Sequence, residues 1–288
     1  MIHQMVSFGH MIKFSHTVFA LPFALSAVIL ASKQNYRIIS WDIAWILLAM
    51  VGARSAAMGF NRIVDSKFDA KNPRTSMRAI PSGEITQTQS IIFVIIFSTL
   101  FLFSAAKLAL ICFYCAFPVL LLLFLYSYSK RFTSLCHIYL GGAISLAPIG
   151  AWIATTKSFD WPILVLSLAL MTHISGFDIL YACQDFEFDR NEGLYSIPAK
   201  YGIKTALFIS ALLHVICFLS FVSIYFLFDM NVIYILAVII IGTALFIEHL
   251  IVKPDNLSRI PIAFFHINST ISLIFLTGIV GDVLLCQT

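Results

Sequence analysis

The sequence predicts an all-α fold, a polytopic membrane helix bundle of about nine transmembrane helices. Hydrophobic residues occupy 60% of the 288 positions, whereas roughly 45–50% is usual for a soluble domain. The mean hydropathy is correspondingly high, at +0.95. Apolar runs also recur along the whole chain, and each approaches the roughly 20 residues that cross the hydrocarbon core of a bilayer.

Nine apolar runs, separated by polar breaks, define the predicted helices. In chain order they cover residues 15–32, 41–60, 89–106, 108–126, 135–155, 161–178, 204–227, 231–251 and 262–285. The longest polar connections follow the second and sixth spans, at about 61–88 and 179–203. The other connections are short, which favours antiparallel neighbours. Because no linker or low-complexity tract divides the chain, we predict a single domain over residues 1–288.

Lys and Arg residues are concentrated on one side of the predicted bundle. With nine spans, the connections after the second, fourth, sixth and eighth spans lie on the same side as the N-terminus. That side carries thirteen of the eighteen Lys and Arg residues, the other side carries four, and Arg54 lies inside the second span. The positive-inside rule therefore places the N-terminus and both long connections in the cytoplasm, with the protein in an inner or plasma membrane. No basic stripe indicates a nucleic-acid partner.

The second span ends in a stretch that is unusually polar for this chain, NRIVDSKFDAKNPRT. Asn61, Asp65 and Asp69 are spaced four residues apart within it. On a helix that continues out of the span, this spacing places the three side chains on one stripe.

A second acidic motif, DILYACQDFEFDRNEG, follows the sixth span. Its polar residues are spaced by three, four and four positions, which predicts another helical stripe; they are Asp178, Tyr181, Asp185 and Asp189. Asp65 and Asp185 are 120 residues apart, as are Asp69 and Asp189. Since four predicted spans separate the two motifs, both are expected at the same membrane face.

The carboxylates of two converging stripes would repel one another beside an apolar bundle. A divalent cation would relieve this repulsion, and Mg²⁺ is typically held by a few carboxylates together with substrate phosphates. The sequence therefore predicts two Mg²⁺ ions, one on each stripe, with a diphosphate bridging them. The alternative is that these acids are solvated and paired with basic neighbours. Two such motifs in equivalent topological positions favour the metal site.

Basic residues near both motifs are candidates for binding phosphate. Arg74 and Arg78 follow the first motif in NPRTSMRAIPSG, and Lys130 and Arg131 follow the fourth span in YSYSKRFT. For each of them, the alternative is a purely topological role under the positive-inside rule.

These segments resemble the UbiA superfamily of intramembrane aromatic prenyltransferases. NRIVDSKFD and DILYACQDFEFD are similar to the paired aspartate motifs of that family. NPRTSMRAIPSGEIT, YSYSKRFT and GLYSIPAKYG are similar to its flanking segments. The resemblance runs from about Lys13 to about Ala206 and looks closest to the 4-hydroxybenzoate polyprenyltransferase-like branch.

The resemblance implies a role for each of these residues. One Mg²⁺–diphosphate would be bound by Asn61, Asp65 and Asp69, and the other by Asp185 and Asp189. Asp178 and Tyr181 would orient the second motif, and Asp178 is also our first candidate for the base that removes the ring proton. The phosphates would be neutralised by Arg74, Arg78, Lys130 and Arg131. Lys13, or alternatively His16, stands about where the family often has an Arg that meets the acceptor.

The implied activity is Mg²⁺-dependent transfer of a polyprenyl group from polyprenyl diphosphate to an aromatic hydroxy acid in ubiquinone or menaquinone biosynthesis. The acceptor is expected to be 4-hydroxybenzoate, with 1,4-dihydroxy-6-naphthoate as the alternative. The prenyl chain length and the oligomeric state are left open by these motifs.

A divalent-cation transporter is the alternative from another functional class. Transporters usually place their ion sites near the bilayer midplane, whereas the acidic residues of this chain cluster at predicted helix ends. Glu248 and Asp282 are predicted to be isolated, and the histidines share no ligand spacing that would indicate a transition-metal site.

Overall fold

The computed structural model describes residues 7–9 and 11–286, without the side chains of residues 14–16. Regular structure in this part of the chain is helical, and no strand occurs within it. Eight of the described helices are long and apolar enough to cross a membrane, and a further apolar helix, Thr17–Lys33, is shorter. The predicted fold class, an all-α polytopic bundle of about nine membrane helices, is confirmed.

The helices are numbered here in chain order. They are α1 (Leu21–Lys33), α2 (Ser40–Lys71), α3 (Gln87–Leu108), α4 (Leu110–Ser129), α5 (Cys136–Thr156), α6 (Ile163–Ala182), α7 (Phe186–Asn191), α8 (Ile197–Tyr201), α9 (Ile203–Leu227), α10 (Val232–Ile251) and α11 (Asn268–Leu285). A 3₁₀ turn, Cys183–Asp185, joins α6 to α7, and a π-helical turn, Ile262–Ile267, precedes α11.

Two helices continue past their predicted membrane spans, both at the acidic motifs, as the helical spacing of those motifs predicted. The apolar run of the second span stops near residue 60, but α2 continues to Lys71. Likewise, the sixth predicted span ends near residue 178, and the helical segment that begins with α6 continues to Asn191. The polarity of the sequence marks where a chain leaves the hydrocarbon core, whereas backbone hydrogen bonding carries the helix further.

The internal contacts of the chain divide it into two compact units, which interleave in sequence. The first unit contains the described residues of Met1–Thr17 together with Ser40–Tyr128. The second contains Val18–Ile39 and Ser129–Thr288. One acidic motif lies in each unit, and the prediction of a single domain over residues 1–288 stays a prediction.

In the first unit, α2 packs closely along α3. At Gly52 a Cβ atom would lie 2.7 Å from the backbone nitrogen of Phe101, so the absent side chain permits this close approach. Phe60 of α2 also stacks on Phe124 of α4, with ring centroids 4.4 Å apart. The membrane half of α2 is thereby held between two apolar helices, and its polar half extends beyond them.

In the second unit, α6 is the central helix. It packs against α5 and α9 and is the most buried of the described candidate spans. Gly141 of α5 lies against α6, where a Cβ atom would collide with the Ser175 hydroxyl and the Met171 carbonyl. This contact of small residues brings the cytoplasmic end of α5, as predicted from topology, close to the acidic end of α6.

Two acidic residues that were predicted to be isolated both have partners in neighbouring helices. The Glu248 carboxylate accepts a hydrogen bond from the Asn268 side chain at 2.8 Å and lies 3.5 Å from His214 Nδ1. Asp282 of α11 accepts hydrogen bonds from the backbone N–H groups of Asn231 and Tyr234. The prediction of isolated carboxylates is therefore wrong, because their partners lie 20 to 51 positions away in the chain.

Replacing Asp282 by Ala is expected to destabilise the protein by about 1.5–3 kcal/mol, because hydrogen bonds to a charged group are lost. Asp282 is fully buried and caps the N-terminal end of α10, where a carboxylate also meets the positive end of the helix dipole. Thermal unfolding in detergent would measure the effect. Asp255→Asn, at an exposed position, is the matched control, and an Asp282→Ala variant that unfolds with this control would contradict the capping role.

Candidate active site

The first acidic motif lies on the last three turns of α2. The Asn61 side-chain amide donates to Asp65 Oδ2 at 2.8 Å, so two members of the predicted stripe are in contact. Asp69 follows one turn later and is buried. The four-residue spacing therefore aligns the three side chains along one face of a regular helix, as predicted.

Arg62 also belongs to this cluster, although its position in the sequence predicted only a contribution to the positive-inside charge. Its guanidinium donates to Asn61 Oδ1 at 3.2 Å and to the Met11 carbonyl, and Nη1 lies 3.9 Å from Asp69 Oδ2. The buried Arg62 thus fixes the orientation of the Asn61 amide and places positive charge beside Asp69. Its position directly after Asn61 was the signal that could have identified it.

The segment after α2 folds back so that Arg78 reaches the first motif. Asn72 Oδ1 accepts from the Arg74 backbone N–H, and the Thr75 hydroxyl donates to the Asp69 carbonyl. These turns bring Arg78 Nη1 to 2.7 Å from Asp69 Oδ1. Ala79, in the same segment, packs in an apolar cluster with Met11, Ile12 and Ile85. Of the two predicted phosphate-binding arginines here, Arg78 is partly buried against Asp69 and Arg74 is exposed.

The oxygen atoms of the first motif fit a hard divalent cation. Asp69 Oδ2 is buried and accepts no hydrogen bond in the described part of the chain. It lies on the same helix face as Asp65, and the set consists of carboxylate and amide oxygens, which Mg²⁺ prefers. Among the described residues, no three His, Cys, Asp or Glu side chains converge enough to enclose a metal ion by themselves. Such a cation would therefore need oxygen ligands from elsewhere, such as substrate phosphates and water.

Arg54 lies deeper in α2, on the same face as the first motif. It precedes Asn61 by seven residues, or about 10 Å along the helix axis and about 20° around it. Its Nη2 donates to the Lys13 carbonyl at 3.1 Å. Its Nε is buried and has no hydrogen-bond partner within the described residues. A cation at membrane depth on the motif's own face is a functional candidate, and the seven-residue spacing could have revealed it.

The residue predicted to meet the acceptor, Lys13, adopts a left-handed backbone conformation with φ of 48°. Through its carbonyl it contacts Arg54, so the structure brings the two residues together. The acceptor role of Lys13 stays a prediction. The side chain of the alternative residue, His16, lies outside the described part of the chain.

The second acidic motif spans the end of α6, the 3₁₀ turn and α7. The predicted stripe is therefore not one uninterrupted α-helix, because the 3₁₀ turn winds with three residues per turn instead of 3.6. Asp185 and Asp189 are both buried, with 7% and 1% of their surfaces exposed. Tyr181 packs its ring on Phe264, with ring centroids 4.3 Å apart. Burial of two carboxylates requires compensating groups nearby.

Lys130 provides that compensation for Asp189. Its Nζ lies 3.1 and 2.9 Å from the two carboxylate oxygens of Asp189. Desolvation alone would lower the pKa of Lys130, but the Asp189 carboxylate outweighs this effect and raises the pKa above its ordinary value. The predicted cation Lys130 therefore contacts the acidic motif. The side chain of Arg131, the next residue, is exposed.

Asp178 has a partner that the sequence analysis did not identify. His137, on the first turn of α5, places its Nδ1 2.7 Å from Asp178 Oδ2. In the sequence the histidines share no metal-ligand spacing, and no spacing rule connects His137 to Asp178, 41 residues away. Asp178 keeps 19% of its side chain exposed, so this carboxylate is both anchored and accessible.

Both motifs thus share one arrangement within their own units. In each, a buried carboxylate near a helix end pairs directly with a predicted phosphate-binding cation: Asp69 with Arg78, and Asp189 with Lys130. Such a set can bind a metal-complexed anion, because carboxylates supply ligands for the metal and cations supply donors for the anion.

Comparison with known proteins shows which family and which folds the chain is similar to. The model of the UbiA prenyltransferase family matches residues 20–270. The 4-hydroxybenzoate octaprenyltransferase of Legionella pneumophila (strain Lens) is 34% identical over 167 residues, which cover 58% of this chain and 59% of that protein. The mitochondrial 4-hydroxybenzoate polyprenyltransferase of Dictyostelium discoideum is 31% identical over 182 residues, covering 59% of this chain and 38% of that protein. The match thus spans less than two thirds of the length of these curated relatives.

Two solved structures have the same fold. The apo structure of a UbiA homolog from Aeropyrum pernix K1 superposes with a TM-score of 0.84 at 27% identity, covering 93% of this chain and 98% of that one. A UbiA homolog from Archaeoglobus fulgidus bound to DMAPP and Mg²⁺ superposes with a TM-score of 0.74 at 18% identity, covering 96% and 99%. At that lower identity, the second likeness shows the fold alone.

Proposed function

This chain belongs to the UbiA prenyltransferase family, and we propose that it transfers a polyprenyl group from polyprenyl diphosphate to 4-hydroxybenzoate in quinone biosynthesis. The proposal rests chiefly on the pairing of a carboxylate with a cation at both acidic helix ends. The relatives named 4-hydroxybenzoate octaprenyltransferase and polyprenyltransferase support the choice of acceptor. 1,4-Dihydroxy-6-naphthoate is the alternative acceptor.

We assign the diphosphate group to the two acidic motifs. Oxygens of Asn61, Asp65 and Asp69 would hold one Mg²⁺, and those of Asp185 and Asp189 a second; when bound, these ions would neutralise the diphosphate and make it a better leaving group. Arg78 and Lys130 already lie beside the carboxylates and would donate to phosphate oxygens, with Arg74 and Arg131 adding charge. The complex of the A. fulgidus homolog with DMAPP and Mg²⁺ is consistent with this assignment.

The reaction begins as the allylic C–O bond breaks and its electron pair leaves with the diphosphate. An electron pair of the aromatic ring then forms a bond to the allylic carbon, and the ring proton passes to a base, which restores aromaticity. We assign the base to Asp178, because His137 holds its Oδ2 while 19% of the side chain stays exposed. Tyr181, three residues further along α6, would orient the diphosphate. The apolar helices keep water from the carbocation.

We assign the carboxylate of the acceptor to Arg54. Its guanidinium has a donor without a partner, lies deep in α2 and shares the face of the first motif. Arg is suited to binding a planar carboxylate with two parallel hydrogen bonds. Lys13, whose carbonyl contacts Arg54, would line the same place.

The apolar helices indicate a multi-pass membrane protein. We propose that it lies in an inner or plasma membrane, with the N-terminus and both acidic motifs on the cytoplasmic side. The excess of Lys and Arg on the connections of that side supports this orientation.

Membranes that contain the overexpressed chain provide the test. Supplied with Mg²⁺, polyprenyl diphosphates of defined length and 4-hydroxybenzoate, they are expected to release diphosphate and form a prenylated acid identified by mass spectrometry. EDTA should stop the reaction and excess Mg²⁺ should restore it. If a prenylated product forms with 1,4-dihydroxy-6-naphthoate but not with 4-hydroxybenzoate, the naphthoate is the acceptor. Cation flux in proteoliposomes without any prenyl transfer would favour the transporter instead.

A further inference from the structure

The His137 side chain is only 2% exposed, and both of its ring nitrogens are hydrogen-bonded within the second unit. The backbone N–H of Ile197 points to its Nε2 at 3.4 Å, so Nε2 acts as the acceptor. The proton of a neutral ring therefore lies on Nδ1, which donates to Asp178 Oδ2 at 2.7 Å. One imidazole in one tautomer thus connects α5, α6 and the start of α8.

The helix packing explains why His137 reaches Asp178. Gly141 lies one turn after His137 on α5, and Ser175 lies three residues before Asp178 on α6. The close approach of Gly141 to Ser175 brings the two helix backbones together. One turn from this contact on each helix, His137 and Asp178 are therefore close enough for the short imidazole side chain to reach the carboxylate.

The second bond of His137 belongs to a set of contacts that fastens the segment between α7 and α8. Gly193 turns the chain with φ of +66°, a conformation that suits glycine. The Tyr195 N–H then donates to the Lys130 carbonyl at 2.7 Å, and Cys136 Sγ lies 3.5 Å from the Tyr195 carbonyl. Ile197 completes this set through His137. The imidazole is thus held from the side opposite Asp178.

We propose that His137 is a positioning residue for Asp178: it binds Oδ2 and so presents Oδ1 to the ring proton of the acceptor. This inference rests on the proposed function, in which Asp178 is the base. A hydrogen bond that is donated to a carboxylate restricts its rotation and stabilises its charged form in a partly desolvated site. His137 itself has no free nitrogen left to contact the substrate.

Two substitutions at position 137 separate this role from packing. His137→Leu keeps an apolar side chain but removes both hydrogen bonds. His137→Gln keeps an amide that can donate to Asp178 and accept from Ile197. We expect the Leu variant to lower kcat by about 10- to 100-fold, as befits loss of a hydrogen bond to a charged group, and the Gln variant to stay within about threefold of the original chain.

The binding of polyprenyl diphosphate should be measured on the same purified preparations. The Leu variant is expected to bind it with unchanged stoichiometry and a KM within about threefold, since the diphosphate contacts other residues. A fall in binding stoichiometry that matches the fall in kcat would overturn the inference, because His137 would then act only on folding. Equal kcat for the Leu and Gln variants would overturn it as well.

A readout that needs no turnover distinguishes failure of this inference from failure of the proposed function. In hydrogen exchange, the amide of Ile197 is expected to exchange about tenfold faster in the Leu variant than in the Gln variant, because its acceptor is lost. Unchanged exchange would overturn the two-sided role of His137, whatever the reaction. The absence of any prenylated product from the unmodified chain would instead contradict the proposed function.

Discussion

Asp65→Ala and Asp185→Ala are each expected to reduce diphosphate release by roughly three orders of magnitude, since several kcal/mol of charge stabilisation by bound metal would be lost. Asp65 lies in contact with Asn61 on α2, and Asp185 is buried in the turn before α7. Removing either carboxylate takes away an oxygen ligand and leaves the neighbouring cations in excess. Release of diphosphate from membranes with equal amounts of each variant is the measurement.

The matched control is Asp255→Asn, at an exposed position in the connection between α10 and α11. It removes one negative charge far in sequence from both motifs and should leave the rate unchanged. Excess Mg²⁺ is not expected to rescue the Ala variants, whereas Asp65→Glu should retain part of the activity because it keeps a carboxylate. Full activity in Asp65→Ala or Asp185→Ala would refute the assignment of the motifs to metal and diphosphate.

The second large effect is expected at Arg54. Arg54→Met should raise KM for 4-hydroxybenzoate by about 10- to 100-fold, the equivalent of a hydrogen bond to a charged group, and leave KM for the prenyl diphosphate nearly unchanged. The reason is that Arg54 lies about 10 Å deeper in α2 than Asn61 and has a donor without a partner. Initial rates measured against each substrate in turn would separate the two KM values.

Arg37→Met is the matched control for Arg54, because Arg37 is exposed in the connection between α1 and α2. Arg54→Lys should lie between the original chain and the Met variant, since Lys keeps the charge but not the two parallel donors. For a phenol that lacks the carboxylate, KM should be nearly the same in the original chain and in Arg54→Met. If both KM values rise together, Arg54 stabilises the structure of α2 and does not bind the acceptor specifically.

Much of the fold and part of the site could be predicted from local pattern. The apolar runs predicted the helices because span length depends on composition alone. The spacing of Asn61, Asp65 and Asp69 predicted their alignment because α2 is regular there. The same reasoning was less successful for Asp178 to Asp189, since a 3₁₀ turn intervenes. Both α2 and the helical segment of α6 continue past the predicted membrane spans, because polarity marks the edge of the membrane and does not stop a helix.

The sequence by itself determined the class of the protein, the acidic motifs and the residue types available for metal and phosphate. Only the tertiary structure decided which side chains meet. It paired Arg78 with Asp69, Lys130 with Asp189 and His137 with Asp178. It also gave partners to Glu248 and Asp282. His137 and Asp178 lie on different helices, and the close approach of Gly141 to the helix of Asp178 sets their distance. Periodicity along one helix carries no information about such crossings.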